Sequence, residues 1–588
     1  MRSLYLAILL VSACAREPYT KFEYRIPMRD GVKLYTIVYV PTDASDANRY
    51  PILLKRTPFS IAPYGDAQAK LLGPNAYVMR DKYIFAYQDI RGRYMSEGKF
   101  VVMRPYHADS ISEASDAYDT ISWLLAHVPH HNGRVGAWGS SYAGFLATMS
   151  ALSHHPALVV ASPQAPATDS YFEDFHHNGA LTQGYFYGYP IFGIDPPGPT
   201  KENWWLPSMI SEGTANDYAF QLALGPLENT TQKYYKDNRF WHDIITHPNY
   251  DAYWQSRAVL PALTEIHSAM LIAGGWFDAE NLYGTLATYK TLTRQDSAAK
   301  VTLVMGPFRH NGWEATDDSL ATKFQRDVEA PYFHAYLKGD GKVDLPAALL
   351  FDTGRKQWRS FTSWPAREAT TRRYYFHADS SLSPSVPTQT HTALSYTSDP
   401  AQPVPSRCHG PTIEDGTLYH YMSDDQRCYE SRPDVVTFQT APLTEDVTLG
   451  GEIWARLNVS TTGTDADYVV KLIDVYPSTG SDSVGNAPLV RGEIMRARFR
   501  QSFAAPQPMR PGAITPVSFQ LQDVLHTFRV GHRIMVQVQS SWFPAFDRNP
   551  QTYVPNIYEA AASDFVKATE RIWVDRAEPS YLEVQVVP

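Results

Sequence analysis

The sequence is poor in three features that each mark a class of protein: cysteine, positive charge and long apolar runs. Three cysteines in 588 residues are too few for a cysteine-based metal site. Lys and Arg total 52 against 61 Asp and Glu, and no basic stripe occurs, which argues against a nucleic-acid partner. The apolar run at the N-terminus is too short to cross a bilayer as a helix. The composition, 44% hydrophobic and 13% aromatic, is that of a globular protein.

Cofactor motifs are missing as well. No recurring His or Cys spacing indicates a catalytic metal, and no glycine-rich loop offers a phosphate site. We therefore predict no cofactor and no metal, and a small-molecule ester or amide as the partner.

Residues 1–14 have the layout of a secretory signal, with a basic start, a brief apolar stretch and small residues before Cys14. The ending "VSAC" resembles a bacterial lipobox, in which the cysteine is lipidated after cleavage; the alternative is an ordinary signal peptide that ends nearby. We expect an exported protein, periplasmic or a surface lipoprotein, whose contact with a membrane is a lipid anchor at Cys14. Cys408 and Cys428 then remain, either as one disulfide or as two free thiols.

The length predicts two or three domains. Residues 20–365 alternate strand-like and helical stretches, which indicates parallel strands with helical crossovers. Residues 168–260 interrupt this pattern with aromatic, His-rich and Pro/Gly-rich sequence, and we interpret them as an inserted cap. Residues 366–588 contain many short alternating strands, which predicts an all-β domain of sandwich or jelly-roll type.

Two adjacent serines lie in "WGSSYAG", between a short apolar run and a helical stretch. A nucleophile at a strand-to-helix turn needs small residues two before it and two or three after it, so that the backbones can pass. Ser141 has Gly139, Ala143 and Gly144 at these positions, whereas Ser140 would have bulky aromatic residues. We therefore predict Ser141 as the nucleophile; a chance glycine-serine turn is the alternative.

A serine hydroxyl needs a histidine to take its proton and an acid to orient that histidine. In this class of fold the chain order is Ser, acid, His. Asp278 follows the strand-like "LIAGGWF", and His310 follows the next one, "LVMGPFR", so both satisfy the order. The backbone N–H of Tyr142 is the expected first donor to the oxyanion.

Four blocks resemble a known family: "QDIRGRYMSEG", "GSSYAG", "GGWFDAEN" and "GPFRHNG". They are similar to the α-amino acid ester hydrolases, within the group of cocaine esterase, glutaryl-cephalosporin acylases and X-Pro dipeptidyl peptidases. The likeness continues through "VVKLIDVYP" and the "GHRIMVQVQSSWFPAF" stretch, and so covers nearly the whole mature chain. It implies an α/β-hydrolase domain with a helical cap, a C-terminal jelly roll, and an acyl-enzyme formed by Ser141, Asp278 and His310. Relatives of this type are often homo-oligomers.

The resemblance also implies substrate-binding residues. Members of this family hold the ammonium of an α-amino acyl group with three carboxylates, and Asp174 and Glu280 match two of them. Asn281 stands in place of the third acid, which weakens the expected selectivity for amines. As an alternative, Asp174 and Glu280 are structural acids that pair with an Arg or cap a helix.

Two further positions depart from the family. Phe59 replaces a tyrosine whose hydroxyl is the second oxyanion donor, and loss of one such donor costs about 3 kcal/mol of transition-state stabilisation. Tyr64 is a candidate substitute. Ala143 replaces a glutamate, which removes another acid.

These residues predict a serine hydrolase that cleaves, and in some reactions transfers, small acyl groups from esters. The preferred substrates are α-amino acyl esters, including β-lactam antibiotics with such a group. An amide-directed acylase or an X-Pro dipeptidyl peptidase is the second hypothesis. A catalytically weak protein that binds a surface partner through its β domain is the third.

Overall fold

The computed structural model describes residues 18–107, 110–186, 188–208, 216–296, 299–408, 420–478 and 485–588. The predicted signal segment, including Cys14, lies outside the described residues. Within the described ranges, no helix has both the length and the apolar character needed to cross a membrane.

A ten-stranded sheet forms the centre of the first domain, in the order β1-β2-β4-β3-β5-β6-β9-β10-β11-β12. Strands from β4 to β11 run parallel, and the outer pairs are antiparallel. The strands, together with the separate hairpin β7–β8, are β1 (Tyr19–Pro27), β2 (Lys33–Pro41), β3 (Tyr50–Thr57), β4 (Ile84–Asp89), β5 (His131–Ser140), β6 (Leu158–Gln164), β7 (His176–His177), β8 (Ala180–Leu181), β9 (Ala269–Gly275), β10 (Val301–Gly306), β11 (Ala348–Asp352) and β12 (Gln357–Phe361).

Helices cover this sheet and build the cap. The crossover helix that follows Ser112 starts with a capping box, in which Oγ of Ser112 accepts from the N–H of Ser115 and the N–H of Ser112 donates to Oγ of Ser115. The helices are α1 (Ala76–Asp81), α2 (Glu113–His127), α3 (Tyr142–Ala151), α4 (Tyr189–Gly193), α5 (Asp217–Leu224), α6 (Leu227–Tyr234), α7 (Arg239–Thr246), α8 (Ala252–Gln255), α9 (Leu282–Gln295), α10 (Ser319–Phe324) and α11 (Ala330–Leu337).

The cap contains α4 to α8, although its sequence shows no clear helical period. These helices have eight residues or fewer, too short for a periodic pattern to be recognised. Side chains fix their first turns instead: Asn238 accepts from the N–H of Trp241, and Asp251 accepts from that of Tyr253. Trp241 and Trp254 are fully buried and hold the cap together.

The second domain is all-β, as predicted, and begins after the ten-stranded sheet ends at Phe361. Its two larger sheets are antiparallel throughout. The jelly-roll topology stays a prediction. The strands are β13 (Thr370–Phe376), β14 (Leu382–Ser383), β15 (Ala393–Ser398), β16 (Val436–Gln439), β17 (Val447–Thr461), β18 (Asp467–Val475), β19 (Leu489–Arg496), β20 (Thr515–Phe528), β21 (Arg533–Gln539), β22 (Ala568–Trp573) and β23 (Tyr581–Val587).

Cys408 and Cys428 form a disulfide, which decides between the two alternatives left open by the sequence. The bridge joins positions 20 residues apart in the second domain.

The two domains share one buried interface. A single hydrophobic cluster runs from the first domain into the second and includes Trp276, Ile473 and Trp542. Arg491 on β19 is also buried there and donates from Nη1 to the carbonyl of Trp276, at 2.7 Å. Trp276 lies two residues before Asp278, so the second domain supports the loop of the predicted catalytic acid.

Candidate active site

Ser141 occupies the turn between β5 and α3. Its backbone has φ 61° and ψ −125°, a conformation that non-glycine residues adopt at a cost of about 1–3 kcal/mol. The turn places the side chain at the carboxyl end of a central parallel strand, beside the first turn of a helix. This is the geometry of a nucleophile elbow.

The small neighbours of Ser141 are required by close backbone contacts. A Cβ on Gly139 would lie 2.4 Å from the carbonyl oxygen of Ala143, and one on Gly144 would lie 2.5 Å from that of Gln164. Both distances are shorter than real contacts allow. The steric rule that selected Ser141 from the sequence therefore has a direct structural cause.

Asp278 and His310 lie together behind the nucleophile, as their positions after β9 and β10 predict. Nδ1 of His310 lies 3.0 Å from each carboxylate oxygen of Asp278, and that acid is 1% exposed. Oδ1 of Asp278 also accepts from the backbone N–H groups of Glu280, at 2.9 Å, and of Asn281, at 3.0 Å. These bonds fix the carboxylate, and the carboxylate fixes the imidazole with its proton on Nδ1.

His310 is surrounded by acids. Burial lowers its pKa, but the charges of Asp278, Glu280 and Asp174 and the bond to Asp278 outweigh burial and raise the pKa to about 10. Nε2 of His310 lies 3.7 Å from Oε2 of Glu280. The site thus stabilises an imidazolium strongly. It can take up a proton from a hydroxyl once part of this negative charge is offset.

Glu173 is a third acid of the site that was not predicted from the sequence, and it is fully buried beside Asp174. Its Oε1 accepts from the N–H groups of Thr168 and Asp169. Burial raises the pKa of Glu173 to about 7, and burial together with the charges of Glu173 and Glu280 raises that of Asp174 well above its usual range. Two acids in the buried aromatic "YFEDF" stretch were the available signal.

Asn281 links two of these acids. Its Nδ2 donates to Oε2 of Glu173 at 3.1 Å and to Oδ1 of Asp174 at 3.3 Å. The residue is 0% exposed and is not among those that line the main cavity. Asn281 therefore holds the carboxylates of Glu173 and Asp174 in place and does not line the main cavity, whereas the family resemblance implied direct contact with substrate.

Phe59 lies at the mouth of the site, 41% exposed, with its ring centroid 6.2 Å from that of Tyr142. Tyr64 does not take over the role of a hydroxyl at this position. Its OH donates to Oδ2 of Asp89 at 2.9 Å and contacts Oγ of Ser60 at 3.0 Å. Tyr142 is the first residue of α3, and the first N–H groups of a helix have no hydrogen-bond partner within that helix. The N–H of Tyr142 is therefore available to an oxyanion.

One cavity of about 570 Å³ joins these groups. Ser141, Glu280, His310 and Phe59 all line it. A narrow adjoining space is lined by Ser141, Tyr142 and Asp174, among others. Within the described residues the hydroxyl of Ser141 forms no hydrogen bond to His310, although both side chains line this cavity.

The fold and this site define the class of protein: an α/β-hydrolase with the apparatus of a serine hydrolase. Two family models match the chain, the X-Pro dipeptidyl-peptidase (S15 family) over residues 30–312 and the X-Pro dipeptidyl-peptidase C-terminal non-catalytic domain over residues 341–583. The chain belongs to the group of serine esterases and peptidases that these families define.

Named relatives agree with this assignment. Cocaine esterase from Rhodococcus sp. is 29% identical over 96% of this chain and 97% of its own length. A solved α-amino acid ester hydrolase is 34% identical, with a TM-score of 0.90 over 100% of this chain and 98% of that one. A solved aminopeptidase from a marine sediment archaeon, Thaumarchaeota archaeon, is 34% identical, with a TM-score of 0.89 over 97% of each chain.

Proposed function

We propose that the protein hydrolyses α-amino acyl esters through an acyl-enzyme on Ser141. His310 is the general base and Asp278 orients it. The observation that carries this proposal is the group of buried acids beside the nucleophile. Within the described residues, Asp174 forms no ion pair with a Lys or Arg, which argues against the structural alternative for that acid.

The chemistry proceeds in two halves. Oγ of Ser141 attacks the carbonyl carbon while its proton passes to Nε2 of His310, and the N–H of Tyr142 donates to the oxyanion. His310 then returns the proton to the leaving oxygen as the C–O bond breaks. Water, or an added amine in acyl transfer, repeats the sequence and frees Ser141.

A substrate ammonium completes the site electrostatically. Buried acids without a counter-ion hold protons, which is why the pKa values of Glu173 and Asp174 are raised. An ammonium in the narrow space beside Asp174 favours their ionised forms and supplies a positive charge that pairs with them.

Amides of α-amino acids are the second substrate class, and β-lactam antibiotics with an α-amino acyl group fall within it. The solved aminopeptidase, similar over nearly the whole chain, supports this class. The same acids would hold the N-terminal ammonium, and the same triad would act on a poorer leaving group.

The test compares phenylglycine methyl ester with its desamino analogue, methyl phenylacetate. We expect kcat/KM to favour the amino ester by about 10- to 100-fold, the value of a charge-assisted hydrogen bond. Asp174→Asn should remove most of this preference, and Glu265→Gln, which removes a carboxylate from the exposed surface, should retain it. Equal kcat/KM for the two esters would refute the amine specificity while leaving the esterase.

A further inference from the structure

A row of polar side chains crosses the sheet on the side of Ser141 away from the acids. Its members come from four neighbouring strands, in the order β2-β4-β3-β5. Lys55 pairs in register with Tyr87, and its Nζ lies 4.4 Å from the ring centroid of Trp138. The rings of Tyr87 and Tyr39 are 6.1 Å apart. All line the cavity that contains Ser141, and we call Tyr39, Tyr87, Lys55 and Trp138 the donor row.

The donor row consists of hydrogen-bond donors whose protons have no acceptor among the described residues. Within the described part of the chain, Nζ of Lys55 forms no ion pair or hydrogen bond, and the buried Nε1 of Trp138 has no hydrogen-bond partner. The hydroxyl oxygens of Tyr87 and Tyr39 accept from backbone N–H groups at 2.6 Å and 3.3 Å, which leaves their own protons to donate. Such a wall is complementary to an anion.

Burial of the Lys55 ammonium costs free energy, because the charge loses part of its hydration. Burial lowers its pKa, against the opposing charges of Glu314 and Glu329. Glu314 lines the same cavity but forms no ion pair with Lys55 among the described residues. A half-buried cation against an indole face gains most from a partner that brings its own negative charge.

The acids and the donor row lie on opposite sides of Ser141, so they can bind opposite ends of one substrate. The loop after β9 carries Glu280 and lies beyond β6 on one side of Ser141. On the other side, β3, β4 and β2 carry Lys55, Tyr87 and Tyr39 of the donor row. Asp174 meets Ser141 in the narrow space, away from the donor row. An acyl group whose ammonium faces the acids therefore directs its leaving group along Lys55.

We propose that the donor row binds a carboxylate carried by the leaving group. This inference rests on the proposed function and narrows its substrates to zwitterionic ones, with an ammonium on the acyl part and a carboxylate on the leaving part. A dipeptide and an α-amino acyl β-lactam share this chemistry. Both place a carboxylate a few bonds beyond the scissile amide.

A matched pair of phenylglycine esters tests the proposal, one with a 4-carboxyphenyl and one with a 4-carbamoylphenyl leaving group. Lys55→Met should lower kcat/KM for the carboxylate by about 10- to 100-fold and change that of the carbamoyl ester by less than about threefold. Lys55→Arg should retain most of the discrimination, and Glu314→Gln should increase it. Lys342→Met removes an equally charged side chain from the exposed surface and should leave the ratio unchanged. Equal losses on both esters in Lys55→Met would overturn the proposal.

Product binding gives a readout that needs neither turnover nor a folded Lys55 variant. Calorimetry on Ser141→Ala should show tighter binding of 4-hydroxybenzoate than of 4-hydroxybenzamide, and equal affinities would count against the donor row even if wild-type hydrolysis is normal. Absence of turnover on both esters with retained preference for the benzoate would instead refute the proposed function alone. Comparing a dipeptide with its C-terminal amide, and a β-lactam with its methyl ester, identifies which zwitterion is preferred.

Discussion

Ser140 donates its hydroxyl to Oδ1 of Asn311, the residue that follows His310. The neighbouring serine is thereby engaged in joining β5 to the histidine loop, while Ser141 occupies the strained turn. Two adjacent hydroxyls thus have different surroundings, and their replacement should have different effects.

Ser141→Ala is expected to lower kcat by about five to six orders of magnitude, because a triad acts as a unit. It should also abolish labelling by a fluorophosphonate. Ser140→Ala removes one hydrogen bond to Asn311 and should keep labelling, with kcat within about tenfold of wild type. Labelling of Ser141→Ala at the wild-type rate would assign the nucleophile elsewhere.

Glu280→Gln should shift the acidic limb of the pH dependence of kcat/KM. The carboxylate of Glu280 helps to raise the pKa of His310 to about 10, and only the neutral imidazole accepts the serine proton. Removing that charge lowers the pKa of His310, so activity should persist to a pH about one unit lower. The measurement is a pH profile on a desamino ester, which avoids titration of the substrate. Glu265→Gln, an equal charge change on the exposed surface, should leave the limb in place; a common shift would show a general field effect.

Phe59→Tyr should increase kcat on simple esters by about 10- to 100-fold, because it restores a hydroxyl at the mouth of the site. The matched variant is Tyr64→Phe. Its hydroxyl is engaged by Asp89 and Ser60, so kcat should change by less than about threefold. A large loss in Tyr64→Phe, with no gain in Phe59→Tyr, would make Tyr64 the second oxyanion donor after all.

Glu173→Gln should flatten the dependence of stability on pH. The pKa of Glu173 is raised from 4.5 to about 7, so the folded state holds a proton that the unfolded state has lost between these values. Stability due to this group is therefore present below pH 4.5 and is lost as pH rises to about 7. The difference in unfolding free energy between Glu173→Gln and wild type, from urea melts at pH 5 and pH 8, should move in favour of the variant at pH 8. A pH-independent difference would contradict the shift.

The triad positions could be predicted because each depends on a local pattern. A strand, a tight turn and a helix identify Ser141, and the ends of two further buried strands identify Asp278 and His310. Glu173 and Asn281 were harder, since their roles depend on how the cap segment packs against the loop after β9. Lys55 lies within an apolar strand, and alternation shows that it faces one side of the sheet. The alternation of the strand does not show that this side of the sheet lines the cavity, because the cavity is also bounded by residues of the cap.

The bond from Arg491 to the carbonyl of Trp276 makes the second domain part of the structure that holds the loop of Asp278. A proteolytic cut between the two domains, far from any reacting atom, should therefore abolish activity, because the loop of Asp278 loses this support. Chimeras between relatives should remain active only when both domains, or both sides of the interface between them, come from the same parent.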